Sequence, residues 1–325
     1  MGTTSINKIY TNTQPRNCSI ILVNITTQNM AVINPGLTGS HVPYCGNVVS
    51  TLEAAATHGQ TFCQFFLGNP KSYQRHSLSE IDIYNIQNSV ILERFPMAWC
   101  THAPYMMSLT GYGGKLAWKD DSAATSVLSN KVLPNLLQEL HDVHVAGGLG
   151  VVVHPGSYGK RPTDLHSDRE GLLGVAETLN RADIQTGTVL LENCAGEGSK
   201  LPRSMQDFRV ILDGMNPQAL EHTGVCIDTA HLQGVGEIDL STCQGVDDLF
   251  SAIDSFNIPV KLIHHNDSKI PLGGRRDLHA PPGLGEIWGN APESLKYFTA
   301  KCLSRNLPFV VECSPDSIVW DAIYP

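Results

Sequence analysis

Five short apolar runs in this chain each end in a residue that can bind a metal ion, and this repetition constrains the fold more than any other feature. The runs end at His154, Glu192, Asp228, His264 and Glu312. Because they are spaced by roughly one strand-plus-helix unit, they predict parallel strands whose carboxyl ends meet at one end of a sheet. Imidazole and carboxylate groups would converge there on a shared site.

Strand and helix patterns alternate from about residue 39 to the end of the chain. Apolar segments predict eight strands, near residues 39–42, 61–67, 97–102, 148–154, 188–192, 224–228, 260–264 and 308–312. Apolar residues at three- and four-residue spacing predict helices between them, at 47–58, 80–92, 123–145, 170–182, 205–215, 246–256 and 292–303. Eight strand–helix units most economically form an α/β fold, the (β/α)8 TIM barrel, over residues 37–325.

Residues 1–36 precede the first predicted strand and form an N-terminal extension. Apolar runs at residues 19–24 and 30–33 predict that this extension packs against the barrel. Only residues 314–325 follow the last predicted strand, which is short for a closing helix. We therefore predict that the extension covers the barrel surface near that short final helix.

The composition is that of a globular protein with a large core, since 42% of the 325 residues are hydrophobic and 16% are charged. The absence of a run of 18 apolar residues, and of an apolar secretory segment, predicts an intracellular protein of the cytoplasm or nucleus without a membrane anchor. Nine cysteines occur singly, without a C-x-x-C pair. They predict reduced core thiols rather than a zinc finger or a disulfide framework.

The net charge of −9 disfavours a nucleic-acid partner, because binding to phosphates requires a cationic surface. Four acidic residues could bind metal ions, however: Glu192, Asp228, Asp277 and Glu312. Three divalent ions would supply six positive charges against those four negative charges. A pocket loaded in this way would attract a polyanion.

Nine residues form the candidate ligand set: His102, His154, Glu192, Asp228, His231, His264, Asp277, His279 and Glu312. Imidazole and carboxylate without thiolate favour zinc or another borderline first-row ion. Glu192 and Glu312 follow apolar residues, where a carboxylate is costly unless it is paired or binds a cation. His154 by itself could equally be a hydrogen-bonded core histidine. Of His264 and His265, only one can point inward because strand side chains alternate.

Two pairs of candidates have simpler alternatives. Asp228 and His231 lie three residues apart just beyond a strand, where they could serve neighbouring ions or be a helix N-cap followed by a surface histidine. Asp277 and His279 lie in the loop 268–288, where they could clasp one ion or be a solvated pair. Spacing alone does not decide between these readings.

Cationic and bulky residues near the candidate ligands could contact a substrate. Lys269, Arg275 and Arg276 lie in the long loop that holds two of the ligands, where a phosphate backbone could approach. Tyr105 and Met106 follow a candidate histidine and are large enough to wedge into a base stack. The simpler alternative for all five is packing at the rim of the barrel.

Together, these segments resemble the endonuclease IV family of apurinic/apyrimidinic endonucleases. The motifs that carry the resemblance occur in the family's order and approximate spacing between about residues 38 and 316: Gly39-Ser-His-Val42, His102-Ala-Pro-Tyr105, His154-Pro-Gly156, Glu192-Asn-Cys-Ala-Gly-Glu-Gly198, Val225-Cys-Ile-Asp-Thr-Ala-His231, His264-His-Asn-Asp267, Arg276-Asp-Leu-His279, Leu284-Gly-Glu286 and Glu312. Three positions depart from the family pattern. Ala103 replaces an acid, His265 replaces an apolar residue, and residues 284–287 interrupt a Gly-Glu-Gly sequence.

The resemblance implies a zinc-dependent endonuclease of base excision repair. Such an enzyme hydrolyses the DNA phosphodiester 5′ to an abasic site and leaves a 3′-hydroxyl, and an additional 3′-diesterase activity stays open. The resemblance also implies three Zn2+ ions: the first held by His102, His154 and Glu192, the second by Glu192, Asp228, His264 and Glu312, and the third by His231, Asp277 and His279. Glu192 and Glu312 would be catalytic, with Glu192 holding or deprotonating the attacking water.

The substrate implied by the resemblance is double-stranded DNA that contains abasic sites, bound by a monomer. Lys71 and Tyr73 match a family loop that touches the damaged strand. Tyr105 and Met106 match the family positions that intrude at the lesion. Extruding an abasic nucleotide costs less than flipping a paired base, which would give selectivity for missing bases.

Two other functions remain in competition. A metal-dependent sugar isomerase or epimerase shares the barrel and a Glu/Asp/His/Glu site, but it needs one or two ions and leaves His231, Asp277 and His279 unexplained. A non-catalytic protein that binds damaged DNA could also have kept the fold. An intact ligand set argues against the second of these.

Overall fold

The computed structural model describes residues 37–111, 128–157 and 165–324. The strands are β1 Thr38–His41, β2 Phe62–Phe65, β3 Ala98–His102, β4 Val151–Val153, β5 Val189–Glu192, β6 Thr223–Asp228, β7 Val260–His264, β8 Asp267–Ser268, β9 His279–Ala280 and β10 Phe309–Val311. Eight of them are parallel and close into a barrel in the order β1-β10-β7-β6-β5-β4-β3-β2, while β8 and β9 form a separate antiparallel pair. The predicted TIM barrel is therefore confirmed. The N-terminal extension, with its predicted packing, lies outside the described residues, and the boundary between residues 36 and 37 stays a prediction.

Helices connect the strands around the outside of the barrel. They are α1 Val48–Thr57, α2 Glu80–Gln87, α3 Val90–Arg94, α4 Leu133–Val145, α5 Leu165–Ala182, α6 Met205–Asp213, α7 Pro217–Glu221, α8 Thr229–Val235, α9 Cys243–Ser255, α10 Pro292–Ser304 and α11 Trp320–Ile323, with a π-helix at Leu128–Val132 and a 3-10 turn at Pro315–Ser317. In the part of the chain that the structure describes, no helix has the length and apolar character needed to cross a membrane.

The helix predicted at 80–92 is divided in two. Asn88 ends α2, and the hydroxyl of Ser89 then caps α3 by accepting a hydrogen bond from the backbone N–H of Leu92 at 3.2 Å. Two strong capping residues in succession interrupt the helical apolar pattern. The short helices α7 and α8 were not predicted, because five and seven residues are too few to show a periodic pattern. The helix predicted at 123–145 corresponds to the π-helix and α4 from residue 128 onwards, and its first residues belong to the segment 112–127, which lies outside the described part.

Side chains on the strands alternate between the barrel interior and the surrounding helices. The interior is filled by one apolar cluster: Phe62, Cys100, Val152, Leu190, Cys226, Leu262 and Val310. The next inward position lies two residues later on each of these seven strands, towards the carboxyl end. The last residue of β1, His41, takes the equivalent place on the eighth strand. Together these positions are His41, Gln64, His102, His154, Glu192, Asp228, His264 and Glu312. We call these eight residues the polar ring. It lies at the end of the barrel where TIM-barrel sites are built.

His265 points away from the ring, into the layer between the sheet and the helices. Its ring stacks on Trp288 with centroids 5.0 Å apart, and its Nε2 lies 3.1 Å from the hydroxyl of Thr299. Burial lowers the pKa of His265 to about 3, so the side chain is neutral at physiological pH. The prediction that only one of His264 and His265 points inward is confirmed, and His265 packs as a core aromatic residue.

The described cysteines agree with the prediction of core thiols. Five of them are buried: Cys63, Cys100, Cys194, Cys226 and Cys302. Burial raises the pKa of the Cys226 thiol to about 12, which keeps it protonated and unreactive at neutral pH.

Candidate metal centre

Histidine and carboxylate side chains form three contiguous groups at the polar ring. The groups are His102, His154 and Glu192; Glu192, Asp228, His264 and Glu312; and Asp228, His231 and His279. Within each group, one ligand atom per residue lies within 4.8 Å of the others. Glu192 and Asp228 each belong to two groups. Asp277 contacts the third group, so the structure brings all nine candidate ligands together.

The first group surrounds Oε2 of Glu192. The Nε2 atoms of His102 and His154 lie 3.2 Å and 3.4 Å from this oxygen. The other ring nitrogen of His102, Nδ1, lies 2.7 Å from the carbonyl oxygen of Ala103. His102 and Glu192 are buried, whereas His154 is partly exposed at the mouth of the barrel.

The middle group lies around Nδ1 of His264. This nitrogen is 3.0 Å from Oε1 of Glu192, 3.2 Å from Oε2 of Glu312 and 3.7 Å from Oδ2 of Asp228. Its other ring nitrogen, Nε2, lies 2.9 Å from the side-chain oxygen of Gln64. Three carboxylates thus converge on one buried imidazole.

A loop residue, Asp277, contacts two histidines of the third group. Its Oδ1 lies 3.2 Å from Nε2 of His231 and 3.0 Å from Nε2 of His279. Both ring nitrogens are buried and close to this oxygen, yet neither is aligned for a hydrogen bond. Nδ1 of His231 lies 2.8 Å from the carbonyl oxygen of Asn193. These contacts with the buried His231 disfavour the alternative of a solvated Asp277–His279 pair.

The hydrogen bonds of His102, His231 and His264 fit neutral imidazoles that bind metal ions. In each ring one nitrogen faces a carbonyl or amide oxygen, which can only accept, so that nitrogen carries the proton. The other nitrogen of each ring faces carboxylates, and in a neutral imidazole its lone pair would be available to a metal ion held between them. Metal-binding histidines typically have this arrangement, and the oxygen and nitrogen donor set suits zinc.

Asp228 has two roles at the start of α8. Its Oδ1 accepts a hydrogen bond from the backbone N–H of His231 at 2.8 Å, so it caps the helix. Its Oδ2 accepts from Nδ2 of Asn266 at 2.7 Å and lies 3.5 Å from Nε2 of His279. The simpler alternative for Asp228 and His231 was a helix N-cap followed by a surface histidine. The cap is confirmed, but the surface histidine is wrong, because His231 is 1% exposed.

The charges at the centre are strongly coupled. Burial would raise the pKa of Glu192, but the imidazoles of His154 and His264 hold it well below its usual range. Burial lowers the pKa of His154 to about 4. For His231, the carboxylates of Asp228 and Asp277 outweigh burial and raise the pKa to about 10. Glu192 is therefore ionised at neutral pH, and its charge is balanced by imidazole protons that a cation would displace.

Sequence reasoning missed four residues that support the ligands: His41, Gln64, Asn193 and Asn266. The side chain of Asn266 donates to both Asp228 and Glu312, and that of Asn193 donates to the carbonyl of Asp228 at 3.0 Å. Asn193 and Asn266 belong to the same short motifs as the ligands. Gln64 is an amide inside an otherwise apolar strand, and such a residue needs a partner when it is buried.

A cavity of about 840 Å³ opens beside the polar ring and is lined by His102, His154, Asp277, His279 and Glu312, among others. Tyr105 also lines it and is 57% exposed, and its neighbour Met106 is 51% exposed. The hydroxyl of Tyr73 donates to the carbonyl of Met106 at 3.0 Å, and the N–H of Tyr105 donates to the carbonyl of Pro70 at 2.9 Å. These bonds join the loops that follow β2 and β3.

The cationic candidates lie on two separate loops. Lys71 is exposed on the loop after β2. Arg275 and Arg276 are exposed on the loop between β8 and β9, next to Asp277. The backbone N–H of Arg275 donates to the carbonyl of Gly234 at 2.9 Å, which ties this loop to α8.

The closed barrel and its buried histidines and carboxylates define a TIM barrel with a candidate metal centre at the carboxyl ends of its strands. The sequence model of the family described as Xylose isomerase-like TIM barrel matches residues 52–295, and the chain belongs to this family. The resemblance to endonuclease IV is also confirmed. A probable endonuclease 4 from Aquifex aeolicus (strain VF5) is 28% identical over 284 residues, which cover 85% of this chain and 91% of the relative.

Two solved structures extend the comparison. Endonuclease IV from Thermus thermophilus superimposes with a TM-score of 0.67 at 25% identity, over 88% of this chain and 96% of that one. A D-tagatose 3-epimerase-like protein superimposes with a TM-score of 0.57 at 18% identity, over 88% and 92%. The second likeness shows the shared fold alone.

Proposed function

We propose that this chain is a zinc-dependent apurinic/apyrimidinic endonuclease of base excision repair. It would hydrolyse the DNA phosphodiester 5′ to an abasic site and leave a 3′-hydroxyl. The observation that carries this proposal is the convergence of all nine candidate ligands into three contiguous groups. The similarity to probable endonuclease 4 proteins supports it independently.

The three groups would hold three zinc ions. The first would be bound by His102, His154 and Glu192, the second by Glu192, Asp228, His264 and Glu312, and the third by His231, Asp277 and His279, with Asp228 close enough to contribute. Zinc bound in such a site activates water and neutralises negative charge on phosphate and leaving oxygen. The protonation pattern of His102, His231 and His264 supports this assignment.

Glu192 and Glu312 are the proposed catalytic residues. Glu312 lines the open cavity, and Glu192 lies at the centre of the ring between two groups of ligands. Both carboxylates have a pKa held well below the usual range, where surrounding imidazoles outweigh the effect of burial. As ionised groups they can hold an attacking water and accept its proton.

The exposed residues around the cavity would hold the DNA. Tyr105 and Met106 protrude beside it and could fill the gap left by an extruded abasic nucleotide. Tyr73 supports their loop through its hydrogen bond to Met106. Lys71 on one loop, and Arg275 and Arg276 on another, would contact phosphates, and we expect a monomer to suffice because one chain supplies all these groups.

An isomerase or epimerase acting on sugars is the competing function. Its support is the shared fold, which the epimerase-like structure shows at 18% identity. A site of that type would leave the arrangement of His231, Asp277 and His279 without a role. The third group therefore favours the nuclease.

The proposal is tested with an oligonucleotide duplex that carries one tetrahydrofuran abasic analogue. We expect the zinc-loaded protein to cut the strand 5′ to the analogue and to lose this activity after long incubation with a chelator. Zinc should restore cutting. Binding of the duplex without cutting would instead support a non-catalytic damage-binding protein, and turnover of keto-sugars with one ion per chain would support an epimerase.

Glu192→Gln tests the catalytic assignment. The amide keeps the shape of the side chain but cannot accept the proton of water, so we expect incision to be abolished while the fold remains. Glu293→Gln, a change of the same kind at an exposed residue of α10 on the outside of the barrel, is the matched control and should cut normally. Undiminished incision by Glu192→Gln would refute the role given to Glu192.

A further inference from the structure

Two members of the polar ring, His41 and Gln64, do not belong to any of the three ligand groups. Gln64 is fully buried near the carboxyl end of β2 and carries no charge. Its amide lies between residues from distant strands: Nε2 is 2.7 Å from Oε1 of Glu312, and Oε1 is 2.9 Å from Nε2 of His264. It thus joins two of the proposed ligands of the middle ion.

The orientation of the Gln64 amide follows from its partners. The ionised carboxylate of Glu312 can only accept a hydrogen bond, so the amide nitrogen must face it. The amide oxygen then faces His264, and because that oxygen can only accept, Nε2 of His264 must donate. In a neutral His264 the single proton is therefore held on Nε2, away from the carboxylates.

The remaining hydrogen atom of the amide also has an acceptor. Nε2 of Gln64 lies 3.0 Å from Nδ1 of His41, in addition to its bond to Glu312. The amide nitrogen thus has two acceptors and the amide oxygen has a donor in Nε2 of His264, so the side chain has little freedom to rotate. A buried amide satisfied in this way holds its neighbours in one arrangement.

We propose that Gln64 is a positioning residue for the middle metal ion, an inference that rests on the proposed function. By accepting the Nε2 proton of His264, it leaves Nδ1, the nitrogen that faces the carboxylates, as the one whose lone pair would bind the ion. By donating to Oε1 of Glu312, it leaves Oε2, which lies 3.2 Å from Nδ1 of His264, turned towards the same point. One amide therefore sets the tautomer of one ligand and the orientation of another.

Gln64→Met separates this role from space filling, because methionine keeps the length of the side chain without a strong donor or acceptor. Gln60→Met is the matched control. Gln60 is also buried, and it bonds Ser40 through its side chain, but it precedes β2 and contacts no candidate ligand. Both variants lose a buried amide that bonds a residue of β1, and only Gln64→Met loses contact with the centre.

The measurements are the number of zinc ions bound per chain and the rate at which zinc passes to a chelator. We expect Gln64→Met to bind one ion about 10–100-fold more weakly than the wild type, a typical effect of removing a hydrogen-bond partner of a ligand. Gln60→Met should retain all its zinc. The absorption spectrum of the cobalt-substituted protein should change for Gln64→Met alone, because ligand geometry sets that spectrum.

Equal zinc retention by Gln64→Met and the wild type would overturn the proposal, as would equal losses in the two variants. If Gln64→Met fails to fold, Gln64→Asn serves instead. The shorter amide cannot reach both His264 and Glu312, so weaker zinc binding supports the role and unchanged binding overturns it. A wild-type protein that binds zinc but does not cut DNA would refute the nuclease proposal while leaving the zinc measurements on Gln64 valid.

Discussion

Oδ1 of Asp277 lies 3.2 Å from Nε2 of His231, a residue in the first turn of α8. The contact brings the loop between β8 and β9 to the start of α8. It turns a loop residue with no periodic context into part of the candidate metal centre. Without it, the centre would consist almost entirely of strand ends, as in a two-ion site.

Replacing Asp277 tests the third ion. We expect Asp277→Asn to bind two zinc ions in place of three and to lose incision activity, because a neutral amide is a poor zinc ligand. Elemental analysis of the purified protein gives the ion count. Asp316→Asn is the control, because Asp316 lies on the 3-10 turn after β10 and outside the candidate ligand set, and it should leave the ion count unchanged. An unaltered ion count in Asp277→Asn would show that Asp277 does not bind an ion.

Zinc binding should release protons and should weaken as the pH falls. The pKa of His231 in the metal-free protein is about 10, because the carboxylates of Asp228 and Asp277 outweigh burial. At pH 7 this imidazole is therefore protonated and must lose its proton to bind zinc. Calorimetric titration in two buffers of different ionisation enthalpy measures the release. The same heat in both buffers, after correction for dilution, would contradict the prediction.

Arg276 should contribute a phosphate contact. We expect Arg276→Ala to weaken binding to abasic and intact duplexes alike, and to reduce the slope of log affinity against log salt concentration by about 1. Binding titrations at several salt concentrations give this slope. Lys296→Ala removes an exposed cation from α10, on the outside of the barrel, and should leave it unchanged. Equal slopes for Arg276→Ala and the wild type would exclude the contact.

A buried ion pair anchors the loop that carries Lys71 and Tyr73. The guanidinium of Arg75 lies 3.1 Å from Oδ2 of Asp142 on α4, and their side chains are 7% and 4% exposed. Arg75→Leu leaves the carboxylate buried without its charged partner, which should lower the free energy of unfolding by about 3–5 kcal/mol. Chemical denaturation measures the change. The double variant Arg75→Leu/Asp142→Leu should regain much of the lost free energy of unfolding. A double variant that is no more stable than Arg75→Leu would contradict this explanation.

Much of the fold was predictable because strand periodicity is local. The eight predicted strands correspond to the eight strands of the barrel. An apolar run that ends in His or Glu indicates both the strand and the inward-facing residue at its carboxyl end. Helix boundaries were less predictable. Ser89 divides one predicted helix, because capping by a side chain competes with an apolar pattern that would otherwise continue.

The amino-acid sequence by itself determined which residues face the barrel interior, because side chains alternate along a strand whatever its neighbours are. It therefore indicated six members of the polar ring, all but His41 and Gln64, and with them most of the candidate ligands. Only the tertiary structure decided how they are grouped: that Asp228 both caps a helix and joins two groups, that Asp277 reaches His231, and that Gln64 bridges His264 and Glu312. These relationships depend on barrel closure and on loop paths, which bring together residues that are far apart in the chain.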